Sequence, residues 1–210
     1  MCGAGRIKRV LKAPLTPIGD SVVARWNRRS VFVVCFCCLE LTATLVAQAE
    51  TLSFWIAPGP DSQLAEWALS AWSEASGGKL KFKPLARADA QILIVWASAE
   101  EGMYGEARPI QLNGHRAVEV FVRPAPLETS DVLLRDAIAY LTCLHESGHA
   151  LGLQHTDQFA DIMYSFQFGG DIREYFGRYR RRLRSRADIQ KNWGLSPADI
   201  EQLQHRPSIW

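Results

Sequence analysis

The sequence predicts an α+β domain in which a twisted, mixed sheet of four or five strands packs on two long helices. Three observations carry this. Gln91 to Trp96 (Q-I-L-I-V-W) is a short, nearly continuous apolar run, the pattern of a central strand. Asn113-Gly114 separates Pro109–Leu112 from Ala117–Val122, a strong hairpin signal. Two further stretches carry apolar residues at helical spacing and are long enough to cover a sheet face.

The elements follow in order. Thr51 to Ile56 alternates and carries an aromatic pair, so it reads as the first strand. Pro58-Gly59-Pro60 breaks it, and Asp61 or Ser62 can cap the helix that follows. Leu64, Trp67, Ala68, Ala71 and Trp72 form one apolar face of that helix, and both tryptophans read as core. Gly77-Gly78 ends it. Leu80 and Phe82 then alternate with Lys79, Lys81 and Lys83, a half-buried strand with a solvated lysine face. After the Gln91–Trp96 strand and the hairpin, Pro124 and Pro126 break the chain. Asp131 to Leu153 reads as one long helix, and the end beyond it as poorly structured.

Composition bounds the function class. Of 210 residues, 48% are hydrophobic and 22% charged, enough to bury a core and too apolar for a disordered chain. Charge is unevenly placed. Residues 1–49 hold seven bases against two acids, a net +5. The remaining residues hold 17 bases against 20 acids, a net −3, so the pI near 8.3 reflects the leader more than the domain. The cysteines divide likewise. Cys2, Cys35, Cys37 and Cys38 precede residue 50, and Cys143 follows alone, so the domain is expected to stand without an internal disulfide.

Residues 1–49 read as a signal peptide. Arg6 to Arg29 supply a basic region, Val31–Leu39 and Leu41–Ala47 supply apolar stretches, and Ala47-Gln48-Ala49 fits a small-x-small cleavage site. Secretion follows as the expectation. The alternative is an uncleaved membrane anchor over residues 31–47. It is short for a span, and Glu40 within it would cost about 2.5–3.5 kcal/mol at mid-bilayer.

The stretch His145-Glu146-Ser147-Gly148-His149-Ala150-Leu151-Gly152-Leu153-Gln154-His155 carries the chemistry. Residues four apart share a helix face, so His145 and His149 can present their rings to one metal. Glu146 lies one residue on, beside the metal and outside its ligand shell, where a general base for water must sit. Gly152 lets the helix stop and turn, bringing His155 back as a third ligand. Three imidazoles leave a fourth tetrahedral position open, the mark of a catalytic zinc site. One catalytic Zn²⁺ is therefore expected, with His115 and His205 as surface histidines. Cys143, about 200° round the helix from His145, reads as a small buried residue facing away.

The string H-E-S-G-H-A-L-G-L-Q-H resembles the metzincin signature, most closely that of the matrixin branch. Asp161-Ile162-Met163-Tyr164 is similar to the Met-turn, which implies that Met163 lies beneath the metal. Thr156 stands where matrixins usually have Ser. Ser165 stands where astacins and serralysins would place a metal-facing Tyr. Leu195-Ser196-Pro197-Ala198-Asp199-Ile200 resembles the start of the C-terminal matrixin helix. The resemblance implies a metzincin-like (zincin) catalytic domain over residues 50–210, with that C-terminal helix. It also implies zinc-dependent endopeptidase activity on polypeptides, with Glu146 as base and Gly152 and Met163 supporting the site. Tyr164, Phe166 and Phe168 are the candidate lining of a substrate pocket. No propeptide bearing a zinc-capping cysteine is recognisable between the leader and the first strand, and no structural zinc or calcium ligands are recognisable before the motif.

Residues 169–193 resemble nothing in the family. Seven arginines, Arg173, Arg178, Arg180, Arg181, Arg182, Arg184 and Arg186, fall within fourteen residues against Glu174 alone, with Tyr175, Phe176 and Tyr179 interleaved. The segment reads either as a solvated, partly helical insertion or as a surface for an anionic or acidic partner. No specific nucleic acid is indicated, membrane contact is expected only if the leader stays uncleaved, and a monomer is expected. The competing function is a non-catalytic zinc-binding module, secreted or anchored, that uses the arginine-rich segment to bind an acidic partner. Glu146 argues for the enzyme, since a decayed site usually loses its base or a ligand.

Overall fold

The computed structural model describes residues 49–97, 104–123 and 129–207, and the predicted signal peptide, anchor and cleavage site lie outside them apart from Ala49. The architecture is α+β with a mixed five-stranded sheet. β1 (Glu50–Ile56) leads into α1 (Ser62–Ala75), followed by β2 (Leu80–Pro84) and β3 (Ile92–Trp96). β4 (Gly105–Leu112) and β5 (His115–Val122) form the hairpin, and α2 (Val132–Ala150) carries the histidine motif. α3 (Ile172–Arg180) and α4 (Pro197–His205) complete the chain, with single 3₁₀ turns before α3 and before α4.

Strand order is β2-β1-β3-β5-β4, parallel throughout except for the antiparallel β4–β5 pair at one edge. β3 is central, and Ile92, Leu93 and Ile94 are all fully buried, which explains its unbroken apolar run. Ile92 and Ile94 face the main core with Leu52, Val118, Val120 and Val122, beneath α1 and α2. Leu93 faces the other side, with Ala90, Ala117 and the half-buried Trp55, Ile110 and Leu112. The hairpin turns at Asn113 (φ 47°) and Gly114 (φ 83°), the left-handed pair that this dipeptide favours.

The two long helices are tied together behind the motif. Trp72 of α1 is fully buried, and its indole N–H donates to the Leu144 carbonyl (3.0 Å) and the Ser147 hydroxyl (3.1 Å) of α2. This fixes the rotation of α2, and with it the direction in which His145 and His149 project.

Several sequence expectations need correction. β4 begins at Gly105, four residues before the predicted strand, because the alternation of a half-exposed edge strand is weak in G-E-A-R. The motif helix ends at Ala150, not Leu153. Residues 169–193 are not a solvated insertion. Tyr175, Phe176 and Tyr179 of α3, together with Leu183 and Ile189, belong to the main core. Arginines dominate the composition of the segment, but its aromatic residues recur on one face of α3 and take the buried side. Among the described residues no helix is long and apolar enough to cross a membrane.

Candidate metal centre

The turn that closes α2 explains how three histidines meet. Gly152 takes φ 89°, its N–H donates to His149 O (2.9 Å), and the Leu153 N–H donates to Gly148 O (3.0 Å). This is a Schellman stop, which needs a left-handed residue and so favours glycine. The chain then reverses. Thr156 N–H donates to Met163 O (2.8 Å) and Ser165 N–H to Thr156 O (3.1 Å), so the residue after His155 is paired to the turn that carries Met163. His155 is thereby held opposite the helix that carries its two partners.

The ring nitrogens are arranged for a metal. His145 Nδ1 lies 2.6 Å from Ile162 O, and His149 Nδ1 lies 2.9 Å from Leu153 O. Donation to these carbonyls places the protons on Nδ1 and leaves Nε2 free to ligate. His155 Nε2 lies 3.3 Å from His145 Nε2 and 3.0 Å from His149 Nε2. Tetrahedral zinc with bonds of about 2.0–2.1 Å sets its ligand nitrogens about 3.3–3.4 Å apart, so the two pairs that include His155 are close to that spacing, and all three ligand atoms lie within 4.8 Å of one another. It is the one group of three or more ligand-type side chains that meets among the described residues. Burial lowers all three imidazole pKa values, His145 to about 4, which favours the neutral ligand form. His115 and His205 lie outside the cluster.

Glu146 is buried against the first residue of β4. Burial, and then the charge of Glu106, push its carboxyl up to about 8 in the metal-free protein. A Cβ on Gly105 would lie 2.6 Å from Glu146 Cγ and 2.7 Å from Thr142 Cγ2, so any side chain there would have to displace the carboxylate arm. Gly105 gave no sequence signal of this role, because the contact joins residues 41 positions apart.

A cavity of about 740 Å³ opens beside the histidines, walled by the start of β4, by α2, by the segment after Met163 and by α3. Tyr164 and Phe166 line it, with Leu141, Ile172, Tyr175 and Phe176. Phe168 does not: it is 55% exposed and absent from the lining. The intervening 3₁₀ turn accounts for this, since residues two apart on three residues per turn point in different directions. Met163 is fully buried beneath the helix, where a Cβ on Gly148 would come within 2.5 Å of its sulfur.

The residue that holds the turn at Met163 gave no sequence signal of that role. Asp199, on α4, is fully buried, and its carboxylate accepts from Ile162 N (2.8 Å), Met163 N (3.2 Å) and Ser196 N (2.8 Å). It is also the third residue of a Ser196–Asp199 capping box, which the S-P-A-D string advertises; its second task was not visible locally. Ile162 therefore gives its N–H to Asp199 and its carbonyl to His145, and Tyr175 Oη donates to the carbonyls of Asp161 (2.9 Å) and Ile162 (3.2 Å). Asp199→Ala leaves buried donors unpaired. It is expected to lower unfolding free energy by about 3 kcal/mol or more, with Asp199→Asn in between. Urea unfolding of the metal-free protein checks this; equal stability of wild type and Asp199→Ala would rule out the clamp.

No known family model matches the chain, and no curated protein matches it. Among solved structures, the chain is similar to archaemetzincin from Methanopyrus kandleri. The two share 18% identity and a TM-score of 0.43, over 77% of this chain and 97% of that one.

Proposed function

We propose that this chain is a zinc-dependent endopeptidase, with His145, His149 and His155 as ligands and Glu146 as the general base. The observation that carries this is the convergence of three Nε2 atoms, each of two rings anchored through Nδ1, one helix residue from a buried carboxylate. A single zinc held there would supply Lewis acidity and make water acidic enough to ionise near neutral pH. Beside a bound dication the Glu146 carboxyl is favoured in its ionised form. It can then accept a proton from water and later return one to the leaving amine.

β4 is well suited to hold a polypeptide. It is an edge strand, and its first residue abuts Glu146. Arg123 N–H donates to Tyr104 O (2.9 Å), and the alternation of an antiparallel pair then turns the polar backbone groups of Gly105 and Ala107 outward. Pro109 offers only its carbonyl. An extended substrate added to this edge would pass Glu146 and could place one side chain in the adjoining cavity. The matrixin-like subtype is supported by Ser165 and the Leu195–Ile200 string, and secretion by the composition of residues 1–49.

The test is a mixed peptide library incubated with purified protein after zinc loading and after chelation. Internal cleavage that appears with zinc and vanishes with chelator is the expected result. A protein that holds one zinc per chain yet cleaves nothing would favour the non-catalytic module.

A further inference from the structure

The seven arginines of residues 173–186 are not equivalent. Arg180 pairs with Asp131 at the start of α2 (3.0 Å), Arg181 with Glu174 (2.5 Å), and Arg186 with Asp136 (2.7 Å) and, more loosely, Asp61 (3.9 Å). Arg178 lies over the rings of Phe159 and Tyr175. These groups are committed to the fold. Arg173, Arg182 and Arg184 are exposed and have no ion-pair partner among the described residues, and of these three only Arg173 lies on α3.

Arg173 and Arg123 do not themselves line the cavity, but Arg173 sits one helical turn before Phe176 on α3, and Phe176 does line it. The Phe176 ring meets Tyr104 at 5.2 Å between centroids, and Tyr104 lines the cavity from the other side, just before β4. Arg123 stands opposite Tyr104 through its backbone hydrogen bond, and its Nε is buried with no hydrogen-bond partner among the described residues. Arg123 and Arg173 are also the two charges that bear on the Tyr104 phenol, favouring its ionised form against the larger effect of burial. Among the described residues, two acids near this end are already engaged. Asp171 caps α3 by accepting from the backbone N–H groups of Arg173 and Glu174, and Glu106 is paired with Arg108.

We propose that Arg123 and Arg173 form a carboxylate-binding rim at the Tyr104 end of the cavity, selecting polypeptides with an acidic group a few residues from the cleaved bond. This rests on the peptidase reading. A chain added to β4 and passing Glu146 runs on toward Tyr104, so whatever it presents there lies to one side of the scissile bond. A buried guanidinium nitrogen without an acceptor is costly, and a carboxylate matches the planar fork of arginine better than any neutral group. The carboxylate can come from an Asp or Glu side chain or from a free C-terminus.

The experiment uses the full chain loaded with zinc. Matched peptides carry Glu or Gln at successive positions on each side of the cleaved bond, and each is made as a C-terminal acid and as an amide. Two readouts are taken: kcat/KM for the wild type, and equilibrium binding to the Glu146→Gln variant, which needs no turnover. The best acidic peptide is expected to exceed its neutral match about tenfold in both, the range of one charge-assisted contact. That ratio should fall toward one in Arg173→Ala and Arg123→Gln, and should shrink as salt is raised. A preference confined to Glu identifies the side chain as the source; one confined to the C-terminal acid identifies the terminus. Equal handling of acidic and neutral peptides by the wild type, or a ratio that survives in both variants, overturns the rim. Should Arg123→Gln fail to fold, Arg173→Ala on the exposed turn decides alone. If nothing is cleaved, the peptidase reading fails while the binding ratio still judges the rim.

Discussion

Glu146→Gln is expected to keep its zinc and its fold and to lose about 10²–10⁴-fold in peptide hydrolysis, the usual share of general acid–base catalysis. The substitution is nearly isosteric, so the tight approach of Gly105 to the Glu146 side chain is preserved. What changes is the ability to take and return a proton. The environment makes this a clean experiment. In the metal-free protein burial already holds the carboxyl largely neutral near pH 7, so a neutral amide should be accepted without unfolding. Zinc content, the thermal transition and kcat on one library-derived peptide suffice. A variant with unchanged metal and stability that keeps a large part of wild-type turnover would remove Glu146 from the mechanism.

His149→Ala is expected to abolish stoichiometric zinc, and with it all activity. His149 is one of three proposed ligands, and its Nε2 lies 3.0 Å from that of His155, so its loss leaves two nitrogens. It also removes the ring whose Nδ1 meets Leu153 O inside the turn that returns His155 to the site. Both the ligand count and the positioning of the third ligand suffer. A substitution of His115, outside the cluster, serves as the comparison and should retain one zinc per chain. If His149→Ala still bound one zinc as tightly as wild type, the three-histidine assignment would be wrong.

Much of the candidate site was legible in the sequence because its geometry is local. The four-residue spacing of His145 and His149 needs only a helix, and the reversal to His155 needs only a residue that tolerates positive φ at position 152. The same holds for parts of the fold. The apolar run at 91–96 fits burial on both faces, and Asn113-Gly114 fits a left-handed two-residue turn. Legibility failed where local composition and the tertiary environment disagree. Residues 169–193 looked solvated because arginine dominates their count. Yet three aromatic rings on one side of α3 are enough to bury that side, and two arginines, Arg180 and Arg186, then pair with acids on α2 or just before α1 and α2. Phe166 and Phe168 looked equivalent, and a single 3₁₀ turn sends one inward and the other into solvent.

By itself, then, the sequence determined the α+β character, the central strand, the hairpin, and the identity and spacing of three potential ligands and a neighbouring carboxylate. Each follows from steric preferences acting within a few residues. The tertiary structure decided what holds those groups in place. Asp199 supports the turn at Ile162 and Met163 from 37 residues away, Gly105 makes room for Glu146 from 41 away, and Trp72 locks the rotation of the motif helix from 75 away. Such contacts leave no periodic trace in the chain, because they depend on which surfaces the packed sheet and helices bring together and not on the conformation of any one segment.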